Sequence, residues 1–553
     1  MRKSAEKLIF HTSLGDAMPV INVPLHMLNE FGLTWEDAVE GITRIGGEVS
    51  RDDENCVFEV SANRWDLFTP EGIIHAIQLL MGKRVPEKYV CPQSGIVMDV
   101  DKSVRNVRPF VVGAVVENVR IDSMYIAILM QIQEKMHDTI GRKRKKLAIG
   151  IHDLDKVTPP FTYMAVQPEK IAFEPLGFSE TMNLAEILAH HPKGREYAWI
   201  LEGAERFPVI IDANGEVLSF PPIINGTLTE VTEHTKNLFI DMTGTDLKTL
   251  KYALNVLTHA LSMHGGIVKS VKINAEQEYV TPDFTWKTRV LEEREISALL
   301  GFHVSADKSA ELLSTMGYIC KSKGNAIEVE IPPYRCDVMH NVDVIEDIAI
   351  ACGYDSIKPV QPERTTHGVL SKMTGVENLV RKYFVGMGAQ EICSFVLSSE
   401  RVQFEMMGIP RRDCVRTKNP SSLDFSIVRT LLLPNVLSTI SRNQQYTMPL
   451  KFFEIGLVVE QKERHNLCYA SVHARAGFSE IKSVAESFLK EFEIPYEIEP
   501  VSLPYYIDGR CARITVKNKP VGTFGEIHPK VLENFKIGMP VIALEFDLSS
   551  LFL

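Results

Sequence analysis

No two cysteines of this 553-residue chain stand in a C-x-x-C arrangement, and the nine present are scattered and odd in number. That spacing argues against a disulfide framework and a zinc ribbon, and it predicts the reduced thiols of a cytoplasmic protein. No apolar run reaches the roughly 20 residues that cross a bilayer. No secretory signal with a small-residue cleavage site opens the chain. Positive charge is not in excess either, since the formal net charge is −11. Any contact with nucleic acid must therefore use a local patch. No Ser-His-Asp or Cys-His arrangement is evident, so covalent nucleophilic catalysis is not expected.

What is present is ordinary globular composition, 45% hydrophobic and 24% charged. The length exceeds one core and predicts three or four domains. Strand and helix patterns are mixed, and the expected fold class is multidomain α+β. Residues 18–92 read as strands and helices, with Pro70 in the first turn of a helix. Within them Arg64 and Asp66 are read as an ion pair that pins a turn. A second domain carries a strand over 109–119 and a helix over 123–139. That helix runs into Gly141-Arg142-Lys143-Arg144-Lys145-Lys146, five cations in a row. The run is either a solvated loop or a holder of phosphate backbone. His152, Asp153 and Asp155 follow, and as an Asp-rich turn they are assigned no metal.

Between residues 197 and 246 polar side chains are set among apolar strand ends. Asn214-Gly215 marks a hairpin, and Pro221-Pro222 redirects the chain. Turn and cap chemistry covers Asn214 and Asp246. It covers Asn225 and Asp241 less well, because they interrupt strands that should be buried; Ser219 and Thr243 accompany them. Residues 276–331 read helix, helix, hairpin, with Gly301 and Gly317 at the helix ends. This order suits a winged-helix-like unit, but an acidic one, so a structural or subunit-contact role is expected.

Residues 331–357 organise the chain. Pro332-Pro333 forces an extended entry, a helix is predicted over 341–352, and Gly353 stops it. Val342, Ile345, Ile348, Ala349 and Cys352 form an apolar stripe, which leaves Asp343, Glu346 and Asp347 on the opposite face. Asp337 lies six residues before Asp343. These carboxylates are either a solvated acidic first turn or oxygen ligands for a hard divalent cation. Magnesium fits such ligands and zinc does not.

The phrases as a set resemble the phenylalanyl-tRNA synthetase beta-subunit family, in its archaeal and eukaryotic cytosolic form. They are VSANRWDL at 60–67, IGIHDLD at 149–155, SFPPIIN at 219–225, FIDMTGT at 239–245, PPYRCD at 332–337, VIEDIA at 344–349, KNPSS at 418–422, VRTLLLP at 428–434, KFFEIG at 451–456 and VGTFGEIHP at 521–529. The resemblance covers about residues 18–553 and leaves 1–17 as an unmatched N-terminal extension. It implies an N-terminal α/β structural domain at 18–92, an editing domain at 93–275 and a winged-helix-like domain at 276–362. A class II synthetase-like antiparallel sheet domain at 363–553 completes it.

The same resemblance implies that Ser219, Asn225, Asp241 and Thr243 line a pocket for misattached tyrosine. It implies that Asp337, Asp343, Glu346 and Asp347 hold a Mg2+ ion near an alpha subunit. The implied partners are that alpha subunit, in an assembly of two alpha and two beta chains, and tRNA(Phe). The alpha chain would use ATP to charge tRNA(Phe) with phenylalanine, and this chain would support it and hydrolyse mischarged Tyr-tRNA(Phe). Active class II domains need an Arg two residues before a Glu on a strand, and a glycine-rich strand ending in Arg, to grip ATP phosphates. Neither phrase occurs, and Arg429 has no Glu at the required spacing. The last domain is therefore expected to be catalytic-like but inactive. Two alternatives remain: a scaffold with a silent pocket, and a free-standing nucleic-acid binder, which would have no use for the last domain.

Overall fold

The computed structural model describes residues 18–52, 54–362 and 366–552. The expected N-terminal extension and the expected boundary at residue 363 lie outside the described residues. Two compact units divide between Val360 and Gln361.

The first unit opens with Val20–Pro24 (β1), Trp35–Ile45 (α1), Glu48–Asp52 (β2), Asn55–Glu59 (β3) and Pro70–Leu80 (α2). The strands form a sheet of order β1-β3-β2. A capping box of Thr34 and Asp37 starts α1, and Gly46, at φ +89°, ends it in the left-handed region that glycine adopts without strain. The Arg64–Asp66 pair is present but buried, with two hydrogen bonds at 2.9 and 2.7 Å.

A ten-stranded sheet follows. Its strands are Gln93–Val100 (β4), Phe110–Glu117 (β5), Leu147–Asp153 (β6), Phe161–Val166 (β7), Phe207–Ile211 (β8), Val217–Phe220 (β9), Ile224–Asn225 (β10), Leu238–Gly244 (β11), Ile267–Asn274 (β12) and Tyr279–Thr281 (β13). Their order is β10-β9-β8-β7-β4-β12-β5-β11-β6, with β13 on β12. Helices Ser123–Asp138 (α3) and Leu247–Met263 (α4) accompany it. Strand β11 is buried along its whole length between β5 and β6. Its Leu238, Ile240 and Met242 face a core shared with α3, α4 and the N-terminal layer. That core runs from Ile21 to Tyr334, so the first two expected domains share one interior.

Lys287–Glu292 (β14), Glu293–Leu300 (α5), Ala306–Ser314 (α6), Ile319–Lys323 (β15), Ala326–Ile331 (β16) and Asn341–Cys352 (α7) complete the first unit, with sheet order β14-β16-β15. Strand β14 escapes sequence reading because only Leu291 of it is buried, so it has no apolar alternation. Helix α7 has the expected bounds, but not the expected faces. Val342 is 54% exposed, whereas Asp347 is 3% exposed. The cause is Arg335, discussed below.

The second unit contains Lys372–Gly386 (α8), Gln390–Glu391 (β17), Leu433–Arg442 (α9), Leu450–Val459 (β18), Glu463–Val472 (β19), Phe478–Glu491 (α10), Glu497–Pro500 (β20), Tyr506–Val516 (β21), Lys519–Ile527 (β22) and Val541–Asp547 (β23). The sheet order is β17-β18-β19-β23-β22-β21-β20, antiparallel except for β17. A strand expected over 389–397 shrinks to β17, while Leu397–Ser398 pairs separately with Ile427–Val428. One core packs α9 against the sheet, and a second packs α8 and α10. Among the described residues no helix is long and apolar enough to cross a membrane.

Candidate functional site

A cavity of about 400 Å³ lies in the first unit beside β6, one edge of the large sheet, where it meets β9 and β10 at the other edge. Helix α3 supplies a further wall. Ser219, Asn225, Asp241 and Thr243 all line this cavity. Ser219 and Asn225 are directly paired across β9 and β10. The Asn225 amide donates to the Ile151 carbonyl at 3.4 Å and so ties the two sheet edges together.

Asp241 and Thr243 share one face of β11, as the period of two requires. Asp241 is 2% exposed, and its register neighbours are Gly113 and Gly150. A Cβ on Gly150 would collide with Asp241 Oδ2 and stand 2.7 Å from His152 Nε2. Glycine there is what leaves room for a buried carboxylate. His152 Nε2 lies 3.0 Å from Asp241 Oδ2, and its Nδ1 lies 2.8 Å from Thr229 Oγ1. Burying a charge without such a partner is costly. Ser219 Oγ is buried on the cavity wall with no hydrogen-bond partner among the described residues. It is an open donor and acceptor.

Arg108 braces the far end. Its Nε donates to Thr243 Oγ1 at 2.8 Å and its Nη2 to the Thr243 carbonyl at 2.6 Å. Burial lowers the Arg108 guanidinium to about 10. Thr243 Oγ1 accepts from Arg108, which leaves its own proton free to donate. At the mouth, the Arg144 guanidinium contacts Glu134 at 2.8 Å and donates to the Ile223 carbonyl at 2.9 Å. Burial pushes the Glu134 carboxyl up, but the His137 hydrogen bond and the Arg144 charge outweigh it and hold it at about 2. His137 Nε2 accepts from the Ile149 N–H at 2.8 Å. Burial lowers this imidazole to about 4.

The four residues that the family resemblance singles out all line this cavity, whereas His152, Thr229 and Glu134 were not among those named. His152 stood in a phrase read as an Asp-rich turn.

The basic run needs correction. Arg144 is 8% exposed, and it holds the loop after Pro221-Pro222 in place of facing solvent. Lys146 pairs with Asp246 at 3.1 Å. Arg142, Lys143 and Lys145 are exposed.

The acidic set also differs from expectation. Arg335, 4% exposed, reaches Asp337 at 2.8 Å and Asp347 at 2.6 Å. The Tyr318 hydroxyl donates to Asp347 at 2.5 Å. Asp343 instead accepts the Met339 and His340 N–H groups at 2.7 and 2.6 Å and caps α7. Asp337 and Asp347 thus converge on the Arg335 guanidinium, Asp343 caps the helix, and Glu346 is exposed. Among the described residues no cluster of three or more His, Cys, Asp or Glu is arranged to hold a metal. The donors suit magnesium chemically, but as arranged they do not fit a single cage.

In the second unit Arg429 is buried. Its Nη1 contacts Glu454 at 2.5 Å and its Nε donates to the Leu457 carbonyl at 2.8 Å. The arginine is consumed inside the fold and offers no phosphate grip.

Three family models match this chain: "B3/4 domain" over 113–262, "tRNA synthetase B5 domain" over 290–354, and "Phenylalanyl tRNA synthetase beta chain CLM domain" over 357–548. The chain is 39% identical over 543 residues to the phenylalanine–tRNA ligase beta subunit of Archaeoglobus fulgidus, covering 97% of this chain and 99% of that protein. The Pyrococcus furiosus protein of the same name is 39% identical over 534 residues, covering 94% of this chain and 96% of its own length. The crystal structure of an N-terminal fragment of the Pyrococcus horikoshii phenylalanyl-tRNA synthetase beta subunit matches with a TM-score of 0.58 at 36% identity. It covers 60% of this chain and 99% of the fragment.

Proposed function

The chain belongs to the phenylalanine–tRNA ligase beta subunit family, and from that membership we propose that it is the beta chain of an ATP-dependent ligase whose alpha chain charges tRNA(Phe). In this reading two alpha and two beta chains assemble, ATP is the substrate of the alpha site, and Mg2+ is shared between the alpha and beta chains. The beta chain contributes the Asp241 cavity, where mischarged Tyr-tRNA(Phe) is hydrolysed. The boundaries 18–92, 93–275, 276–362 and 363–553 are proposed for its structural, editing, winged-helix-like and catalytic-like parts.

One observation carries the editing reading. Ser219, Asn225, Asp241 and Thr243, from three strands, line a single cavity in which a carboxylate and an unpartnered hydroxyl are buried. Phenylalanine and tyrosine differ by one hydroxyl, and an apolar pocket discriminates that only modestly. A site that hydrogen-bonds the hydroxyl discriminates about 10⁴-fold or more, because its polar groups are left unpaired by the analogue. Asp241 and Ser219 are suited to that task. Thr243, with its proton free, is suited to orient water at the ester. His152 and Thr229 hold the Asp241 carboxylate in place.

The test is a deacylation assay of the full chain, co-expressed with an alpha chain, on Tyr-tRNA and Phe-tRNA. Tyr-tRNA should be cleared and Phe-tRNA spared. Asp241→Ala should slow Tyr-tRNA clearance about 100-fold or more, the loss expected when the group that recognises the tyrosine hydroxyl is removed, with Phe charging intact. Equal clearance by mutant and wild type would refute the assignment. Charging without any clearance would leave the chain a scaffold with a silent pocket.

A further inference from the structure

A second cavity, of about 560 Å³, lies in the first unit between the start of α4, β14 and the Pro332-Pro333 segment. Its lining includes Lys248, Lys251, Tyr252, Lys287 and Arg335, with Asp283 as the one acid. None of the three lysines has a carboxylate partner among the described residues. They gather instead around tyrosine rings. Lys248 and Lys287 stand 5.9 and 4.8 Å from the Tyr252 ring centre, and Lys251 stands 5.1 Å from that of Tyr279. The Lys287 ammonium also donates to the Tyr252 hydroxyl. Asp283 is occupied by the Thr285 N–H and hydroxyl, at 3.1 and 2.6 Å. Arg335 is neutralised by Asp337 and Asp347. The lysine charges are therefore uncompensated, in a chain whose net charge is −11.

The cavity does not stand alone. The Thr245 N–H donates to the Lys146 carbonyl at 3.2 Å, and Lys146 pairs with Asp246 at 3.1 Å. These contacts fix the turn bearing exposed Arg142, Lys143 and Lys145 beside the start of α4. Six cations thus flank the junction of β11 and α4. The same β11 sends Asp241 and Thr243 into the first cavity.

We infer that the Lys248–Lys251–Lys287 cavity is an anchor for the sugar–phosphate backbone of an RNA. The inference rests on the proposed delivery of an aminoacylated RNA end to the Asp241 cavity. A phosphate needs several point cations, which lysines supply without sequence preference. Tyr252, which lines the cavity, adds a ring on which a base can stack. An acidic peptide would use the lysines but has no use for the ring or for the second basic group across the junction.

The test compares the full chain with a triple variant, Lys248→Gln, Lys251→Gln and Lys287→Gln. Binding of tRNA is followed by fluorescence anisotropy between about 50 and 200 mM salt, where the affinity falls by about 0.7–0.9 log units per log unit of salt for each phosphate contact. The slope should become shallower by about 2, and binding at low salt should weaken about tenfold or more. An unchanged slope and affinity would overturn the anchor. The matching triple Lys→Arg variant should keep the wild-type slope; if it behaves like the Gln variant, a packing role replaces the anchor. Loss of polyglutamate or ATP binding with tRNA binding unaltered would also overturn it. Asp241→Ala is assayed separately for Tyr-tRNA hydrolysis. Its failure would sink the editing reading, while the salt slope would still decide the anchor independently.

Discussion

At the scale of single residues, the Asp241 carboxylate depends on an absence next to it. Gly150 lies opposite Asp241 in the sheet register, and any side chain there meets Oδ2. Gly150→Ala should displace Asp241 or His152. The expected cost is about 1–3 kcal/mol of stability, as for other overpacked cores, with Tyr-tRNA hydrolysis falling as far as in Asp241→Ala. A melt and a deacylation assay check both halves. Wild-type hydrolysis in the alanine variant would mean that Asp241 has slack the geometry does not contain. Asp241 and Asn225 were legible in the sequence because they interrupt strands. His152 was not, because its partners Asp241 and Thr229 lie 89 and 77 residues away.

At the scale of elements, α7 shows how periodicity can name a helix and misassign its faces. The 3.6-residue pattern predicted its ends, and Gly353 with φ +82° stops it as expected. The pattern could not foresee that buried Arg335 would draw Asp347 into the core and leave Val342 outside. Burial raises the Asp337 carboxyl, but the Arg335 charge and hydrogen bonds, with Arg64, outweigh it and hold it at about 2. A depressed carboxylate stabilises the fold fully above its unfolded value near 3.8 and loses that contribution as pH falls through about 2. This pair should therefore lend about 2 kcal/mol at neutral pH, lost between about pH 4 and 2. Arg335→Met removes the cation shared by two buried carboxylates. It should cost about 3–5 kcal/mol, and acid titration of the variant should lack that window. A variant as stable as wild type at pH 7 would contradict the buried network.

At the scale of the whole molecule, the acidic set bears on how the chain responds to magnesium. Asp337 and Asp347 are spent on Arg335, and Asp343 on the α7 cap. Magnesium added to the full chain should leave its melting temperature unchanged. Asp343→Ala should cost about 1 kcal/mol, the usual value of a helix cap, equally with and without the ion. A magnesium-dependent rise in melting temperature that Asp343→Ala abolishes would restore the four-carboxylate cage.

Local pattern along the chain was enough for the mixed α/β character, the bounds of α7 and the out-of-place Asn225 and Asp241, while the family and the full set of four polar residues came from the resemblance of its phrases. Periodicity, turn residues and ordered motifs are written within a few residues of one another, so they can be read before folding. Which charges are spent inside was settled by the fold alone. Arg144, Lys146, Asp337 and Asp347 all looked available for a partner, and each, like Arg429, is paired with a residue of its own chain. The fold also assembled the lysine cavity, whose members come from a helix and a strand about 40 residues apart. Charge cost is set by burial and by distant neighbours, and neither is visible along a chain until it has folded.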